Sequence, residues 1–376
     1  MRILMTVDSA GGVWQYGLAL ARGLVEQHGC SVMLVCMGDP RWEDLEAAGR
    51  FPMEVVPVPL RLEWMPDSAR DVERALEEVG RLVRSWNPHV LHSNQFCFGL
   101  LRVSQPTVVV AHSDVMSWQL WSGTGEDGSG ERQLQDTGAM VPWLPGYRQL
   151  VQAGLQGATA VVCPSRFMAM SLMKTWARPA RVIYNGLWPD QYRTGPKAPG
   201  ALLAGRLWDR AKGAALAVRA VEGLPLQLDL VGPTVGPDGE ATLLPQAGNV
   251  RYLGPRSWQD TREAMARARI YVAASTYEPF GLAVLEAALS GCALLLSDIP
   301  SHRELWGDAA LLFPRGDVRR LRQGLVRLIE APGDTERLGQ AARARAMERF
   351  TADRMAREYL DLYNELLAVP GHSRRE

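Results

Sequence analysis

The feature that most constrains the fold is a repeated alternation of short β-rich runs with helical stretches. Up to residue 186, seven apolar runs bounded by turn residues alternate with helical patterns. They are RILMTV, SVMLVCMG, EVVPVPL, HVLHSN, TVVVAHS, AVVCPS and RVIYNG. Because strands that alternate with helices are joined by crossover connections, the sequence predicts an α/β fold with a doubly wound parallel sheet.

The alternation restarts after a Pro- and Gly-rich stretch at 186–200, which we interpret as a linker. The later runs are ALLAG, LQLDLVG, VRYLG, RIYVAAS, ALLLS and ALLF. Since 376 residues exceed one ordinary core, we predict two Rossmann-like domains, 1–190 and 191–350. An amphipathic helix at 351–370 is expected to pack back on the first domain. Open parallel sheets bind ligands beyond the carboxyl ends of their strands, so we expect two facing sheets with the function in the cleft between them.

Charge and cysteine usage narrow the partners and the compartment. Lys plus Arg and Asp plus Glu both total 41, which predicts small-molecule partners, no nucleic acid and at most peripheral membrane contact. The five cysteines include no C-x-x-C pair and predict buried thiols in a reducing cytosol. The apolar start at 1–7 is too short for a signal peptide, and the longest apolar run, 281–296, is too short to span a bilayer. We therefore expect a cytoplasmic protein.

The most informative segment is residues 275–304, where the pattern predicts a strand, an acidic loop and a helix that begins near Phe280. The free N–H groups of Gly281 and Leu282 at the positive end of that helix could receive a diphosphate. Glu278 precedes the helix, and Glu286 lies eight residues further on, about 80° around the helical axis. Two carboxylates could therefore frame one polar ligand. Glu286 has apolar neighbours, so it reads as a buried acid that needs a partner such as ribose hydroxyls, rather than as a helix-surface carboxylate.

The sequence EPFGLAVLE at 278–286 resembles the E-x7-E signature of the retaining family-4 glycosyltransferases, which have the GT-B fold. It matches in length, in both acids and in the internal Phe-Gly. The resemblance implies that Glu286 binds the nucleotide ribose and that Glu278 lies beside the transferred sugar. It also implies that the amides of Phe280, Gly281 and Leu282 hold sugar hydroxyls and phosphate.

A second match is LLAGRLWDRAKG, which delivers Gly205, Arg206 and Lys212 at the end of a predicted strand. Two cations at that position could neutralise a departing diphosphate. The chain has three lysines against 38 arginines, which favours a function for Lys212 over surface decoration. The family usually places this lysine five residues after the arginine, whereas here the loop is one residue longer and also offers Arg210.

In the first domain, a Gly pair after the opening strand resembles the N-terminal glycine loop of the family and implies that Gly12 contacts the donor. The spacing of this loop does not fit G-x-G-x-x-G, so nicotinamide chemistry is a minor alternative. His112 follows a buried strand and aligns with the histidine that the family places beside the donor sugar. From its position alone, it reads equally as a hydrogen-bonded core imidazole.

The stretch 122–138 is rich in Gly and charge, and it predicts a mobile loop. The tryptophans around it, Trp118, Trp121 and Trp143, could stack on a sugar or pack in the core. No D-x-D motif follows a predicted strand, so we expect neither a metal nor another cofactor.

The resemblance implies a retaining enzyme that moves a hexosyl group from a UDP- or GDP-sugar to an acceptor hydroxyl of a sugar, glycolipid or small molecule. The expected catalytic residues are Glu278, His112, Arg206 and Lys212. Two alternatives stay open: another GT-B enzyme such as a nucleotide-sugar epimerase, and a non-catalytic sugar-nucleotide-binding subunit. The segment SDIPSHREL at 297–305 departs from the Gly-rich turn of relatives, so it assigns no particular sugar.

Overall fold

The computed structural model describes residues 1–9, 11–40, 42–122, 144–236 and 239–369, except the side chains of 42–44 and 122. These residues form two compact units. The first holds the described residues up to Ser117, those from 144 to Gly186, and the helix that starts at Ala352. The second holds Trp118 to residue 122 and Leu187–Thr351.

The first unit is built on a seven-stranded sheet in which every pair is parallel. Its strands are β1 (Arg2–Asp8), β2 (Ser31–Met37), β3 (Glu54–Val58), β4 (Val90–Ser93), β5 (Thr107–Val110), β6 (Ala160–Cys163) and β7 (Arg181–Val182). Its helices are α1 (Gly12–Glu26), α2 (Trp42–Gly49), α3 (Ala69–Trp86), α4 (Val115–Ser122, which continues into the second unit), α5 (Leu144–Gly157) and α6 (Arg166–Trp176). The strand order β3-β2-β1-β4-β5-β6-β7 reverses direction between β1 and β4, where an open sheet forms a crevice.

The second unit has a six-stranded parallel sheet in the order β10-β9-β8-β11-β12-β13. Its strands are β8 (Ala198–Ala204), β9 (Gln227–Val231), β10 (Val250–Gly254), β11 (Ala268–Ala273), β12 (Ala293–Ser297) and β13 (Leu311–Phe313). Its helices are α7 (Ala214–Val221), α8 (Trp258–Arg267), α9 (Leu282–Leu289), α10 (Pro300–Leu305), α11 (Val318–Glu330) and α12 (Pro332–Arg349). The corresponding switch point lies between β8 and β11.

Each of the thirteen predicted β-rich runs overlaps one of these strands. The central strands are buried along nearly their whole length, as is usual for parallel sheets covered by helices on both faces. The last helix, α13 (Ala352–Ala368), belongs to the first unit. Its apolar face buries Tyr359 and Tyr363, which lie within about 6 Å of the rings of Tyr16 and His92.

All five cysteines are free and buried, as their spacing predicted. Across the described ranges, no helix combines the length and the apolar character that crossing a membrane requires. The predicted mobile loop at 122–138, apart from the backbone of its first residue, and Trp143 lie outside the described residues.

Candidate functional site

The loop after β8 presents a carboxylate that organises its neighbours. Asp209 is buried, and its Oδ1 accepts a hydrogen bond from the Ala211 N–H at 3.0 Å. Arg206 donates from Nη2 to Oδ2 of Asp209 at 3.1 Å, while 45% of the Arg206 side chain remains exposed. The indole Nε1 of Trp118 donates to Asp209 Oδ1, also at 3.1 Å. The guanidinium of Arg206 is therefore held from one side and open on the other.

Lys212 and Glu278 form the closest ion pair of this loop region. The Nζ atom of Lys212 lies 2.5 Å from Oε2 of Glu278, and both side chains are largely buried. Lys212 ends a short 3-10 turn after β8, and Glu278 lies in the loop after β11. Gly213 follows with a φ of 66°, and a Cβ there would lie 2.2 Å from the Ala274 carbonyl oxygen. Only glycine therefore lets this turn pack against the end of β11.

The sequence predicts that the helix begins near Phe280, but α9 starts two residues later, at Leu282. Gly281 is its N-cap with a φ of 85°. This left-handed conformation is not helical, so the helix begins only after Gly281. The predicted amide donors Gly281 and Leu282 thus occupy the N-cap and first helical positions, whose N–H groups have no intrahelical acceptor. The Phe280 ring is buried edge-on against Phe350 at 5.5 Å, so only its backbone can meet a ligand.

Glu286 is buried on α9, and its Oε1 accepts a hydrogen bond from the Tyr192 hydroxyl at 3.1 Å. Burial, reinforced by the nearby carboxylate, holds the pKa of Tyr192 well above its usual value, so the phenol remains a donor. Arg262 lies 4.8 Å above the Tyr192 ring. Sequence reasoning expected a partner for Glu286 but missed Tyr192, which lies 94 residues earlier in the linker stretch.

His302 is fully buried on α10. Its Nδ1 lies 2.8 Å from the Ser297 carbonyl oxygen, which only accepts, so Nδ1 carries the proton. Nε2 then bears a lone pair and has no hydrogen-bond partner among the described residues. Desolvation by burial lowers the pKa of His302 and keeps the ring neutral.

In the first unit, the partly buried His112 lies just beyond the carboxyl end of β5. Its Nε2 lies 2.7 Å from Asn94 Oδ1, and the Tyr16 ring packs edge-on at 4.5 Å. Desolvation lowers the pKa of His112 to about 3. Gly12 is the first residue of α1 and is exposed, next to Gly11, which has a φ of 72°.

A buried polar cluster that the sequence did not reveal adjoins His112 at the carboxyl ends of β1 and β4. The Gln95 amide donates to Asp8, and the Thr6 hydroxyl donates to Gln95. Burial raises the pKa of Asp8 to about 7. Glu63 accepts hydrogen bonds from the Phe96 and Cys97 N–H groups, at 2.8 and 2.7 Å. Nothing in the local sequence pattern marks these residues as neighbours.

The structure thus joins Lys212 directly to Glu278, and ties Arg206 to Asp209 three residues later. Gly205 ends the strand that leads into the same loop, and Glu286 lies one turn into the helix capped by Gly281. These residues belong to the second unit, whereas His112 and Gly12 belong to the first. The predicted stacking role of Trp118 stays a prediction.

Comparison with known proteins adds family assignments for both units. Residues 10–191 match the family described as Glycosyltransferase Family 4, and residues 198–331 match the family described as Glycosyl transferases group 1. An alpha-maltose-1-phosphate synthase from Mycobacterium tuberculosis is 26% identical over an alignment of 255 residues, gaps included, that covers 58% of this chain and 66% of the relative. The match therefore spans slightly less than two thirds of that protein.

Solved structures show the same fold over nearly the whole chain. A sucrose-phosphate synthase from Thermosynechococcus elongatus superposes with a TM-score of 0.75 at 19% identity, covering 98% of this chain and 99% of its own. HepE from Anabaena, in complex with UDP and glucose, gives a TM-score of 0.72 at 19% identity, covering 97% of this chain and 99% of its own. Both sheets and these neighbours show a GT-B fold.

Proposed function

We propose, since the chain belongs to the family-4, group 1 glycosyltransferases, that it moves a hexosyl group from a UDP- or GDP-sugar to an acceptor hydroxyl. The product would be a glycan, glycolipid or glycoside. The observation that carries the proposal is the Lys212–Glu278 pair at the carboxyl ends of β8 and β11, next to the start of α9. The complex of HepE with UDP and glucose supports the donor class.

The second unit supplies positive charge where a diphosphate would depart. Lys212 and Arg206 each offer a basic side chain that is paired with one carboxylate, and the first N–H groups of α9 add the positive end of a helix dipole. Both cations are already held by carboxylates, so little reorganisation accompanies the growth of charge on the leaving group. Leaving-group stabilisation is the main contribution that these residues make.

We further propose that the reaction retains the anomeric configuration without a protein nucleophile. Glu278 is engaged by Lys212, so it acts through electrostatics and through orienting that lysine. The departing phosphate then accepts the proton of the incoming hydroxyl on the same face of the sugar. Product stereochemistry, read by proton NMR of the new anomeric signal, tests this: inversion would refute it.

His112 does not suit the role of a proton carrier. Its pKa of about 3 means that protonation near pH 7 costs about 5 kcal/mol. We therefore place His112 among the groups that hydrogen-bond substrate rather than among those that transfer protons. The pH–rate profile of the wild type should show no inflection between pH 5 and 8 that belongs to His112. The His112→Gln variant should therefore give a profile of the same shape in this range.

A binding panel tests the proposal directly. Thermal shift and calorimetry with UDP, GDP, ADP and their common sugar conjugates should show selective binding that Glu286→Ala and Arg206→Ala both abolish. Arg251→Ala is a matched control, because Arg251 forms an exposed ion pair with Asp229 within β9 and β10. If no nucleotide binds, the proposed function is wrong.

Turnover separates the proposal from its alternatives. The wild type, with a preferred donor and a panel of hydroxyl acceptors, should release nucleoside diphosphate only when an acceptor is present, and should do so in excess EDTA. Conversion of the donor alone would instead indicate an epimerase. Binding without any turnover would indicate a non-catalytic sugar-nucleotide-binding subunit.

A further inference from the structure

Asn94 lies between the end of β1 and the His112 imidazole. Its side chain is buried, its Nδ2 lies 2.6 Å from the Thr6 carbonyl oxygen, and its Oδ1 lies 2.7 Å from His112 Nε2. The backbone N–H of Asn94 donates to the Thr6 hydroxyl at 3.2 Å, which fixes the residue at a second point. The amide therefore bridges two strands through contacts that are all short and well defined.

These contacts fix the orientation of the amide. A carbonyl oxygen only accepts hydrogen bonds, so the atom facing Thr6 must be the Asn94 NH2 group. The oxygen of the amide then faces His112 Nε2, and that nitrogen must carry a proton to bond with it. A flip of the imidazole would put a carbon in this position and lose the bond. One neutral tautomer follows, with the lone pair on Nδ1.

We propose that Asn94 is a positioning residue that fixes His112 as the Nε2–H tautomer, so that Nδ1 accepts a hydrogen bond from a sugar hydroxyl of the substrate. The sugar part rests on the proposed function, whereas the tautomer rests on the protein alone. The lone pair on Nδ1 repels phosphate and carboxylate oxygens, so the group it recognises is an O–H donor. The edge-on Tyr16 ring holds the imidazole plane.

Burial keeps His112 uncharged, because desolvation lowers its pKa to about 3. Tyr16 on α1 and His92 on β4 face it, and neither carries a negative charge. Burial keeps the pKa of Tyr16 well above its usual value and lowers that of His92 to about 3. A neutral acceptor at Nδ1 is therefore available across the physiological range.

The first test reads the tautomer by NMR. In protein labelled with nitrogen-15 histidine, long-range proton–nitrogen correlations should show one ring protonated only at Nε2 from pH 5 to 8, assigned by its loss in His112→Gln. Asn94→Ala should release the ring to a mixture of tautomers. Asn94→Asp places a carboxylate against Nε2 and should move the titration of His112 toward neutral pH. A wild-type ring protonated at Nδ1, or a pattern unchanged in both variants, overturns the proposal.

The second test separates positioning from folding. Asn94→Ala should weaken binding of the sugar conjugate by about five- to tenfold, the worth of one hydrogen bond, while binding of the nucleoside diphosphate stays within twofold. Gln105→Ala removes an exposed amide that bonds Asn87 and is the matched control. Equal losses for both ligands would show a merely structural role. If the nucleotide panel fails while the tautomer holds, only the proposed function falls.

Discussion

Asp8→Asn should make the first unit less sensitive to rising pH. Asp8 ends β1, its side chain is buried, and its Oδ1 accepts a hydrogen bond from the Gln95 amide. Desolvation is the main reason that its pKa lies at about 7 instead of 3.8, with a smaller contribution from the Glu63 carboxylate. An asparagine has the same shape and keeps an oxygen for Gln95, but it cannot ionise.

Proton binding to Asp8 determines whether the free energy of unfolding rises or falls with pH. Between pH 3.8 and about 7 the native state holds a proton on Asp8 that the unfolded chain has released. The stabilisation from this proton is complete below pH 3.8 and is lost as the pH rises through 7. At about 1.4 kcal/mol per pKa unit, the wild type loses about 4 kcal/mol of unfolding free energy from this group by pH 8. Asp8→Asn loses none of it.

The measurement is the difference in unfolding free energy between variant and wild type at pH 4 and at pH 8. Amide hydrogen exchange of β1 gives a readout confined to the first unit, and a constant offset from altered hydrogen bonding cancels between the two pH values. The variant should gain about 4 kcal/mol relative to the wild type across this interval. The same change at the exposed Asp361 on α13 is the control. A pH-independent difference at Asp8 would refute the reasoning.

Two further predictions concern packing. Tyr192→Phe removes the hydroxyl that bonds buried Glu286 and should cost about 1.5–3 kcal/mol in urea unfolding; an unchanged midpoint would mean that the bond does not contribute. Gly154→Ala on α5 would place a Cβ 2.0 Å from the Phe96 carbonyl oxygen and should cost about 1–3 kcal/mol or more. Gly146→Ala on the same helix meets nothing within 4 Å and gains helix propensity, so it should cost nothing; a similar loss there would show that crowding is not responsible.

The strands and the loops that end them could be predicted because the signal is local. A continuous apolar run such as ALLLS at 293–297 predicts a buried strand, and a following Gly or acid indicates where the strand ends. The pairing of Lys212 with Glu278 was not predicted, because it depends on β8 and β11 being neighbours in the sheet, an order that no local signal gives. The start of α9 was misplaced by two residues because only the φ of Gly281 decides whether a helix includes it.

The contacts that define the chemistry of single groups could not be predicted. Tyr192 and Glu286 are 94 residues apart, and Asn94 and Thr6 are 88 apart, so no window of sequence contains either pair. From the sequence one can predict only that a buried polar side chain needs a hydrogen-bond partner. Which partner it finds depends on how helices and strands pack, and that information is spread over the whole unit.

The two units hold the side chains at their strand ends in different ways. In the second unit, Arg206 and Lys212 are each held by a carboxylate, so the phosphate role proposed for them would use cations that are already positioned. In the first unit, His112 is held neutral by burial and oriented by an uncharged amide, which suits a hydroxyl. A carboxylate beside His112 would favour protonation of Nδ1 and so remove its acceptor, whereas loss of the Lys212 charge would leave buried Glu278 without its cation.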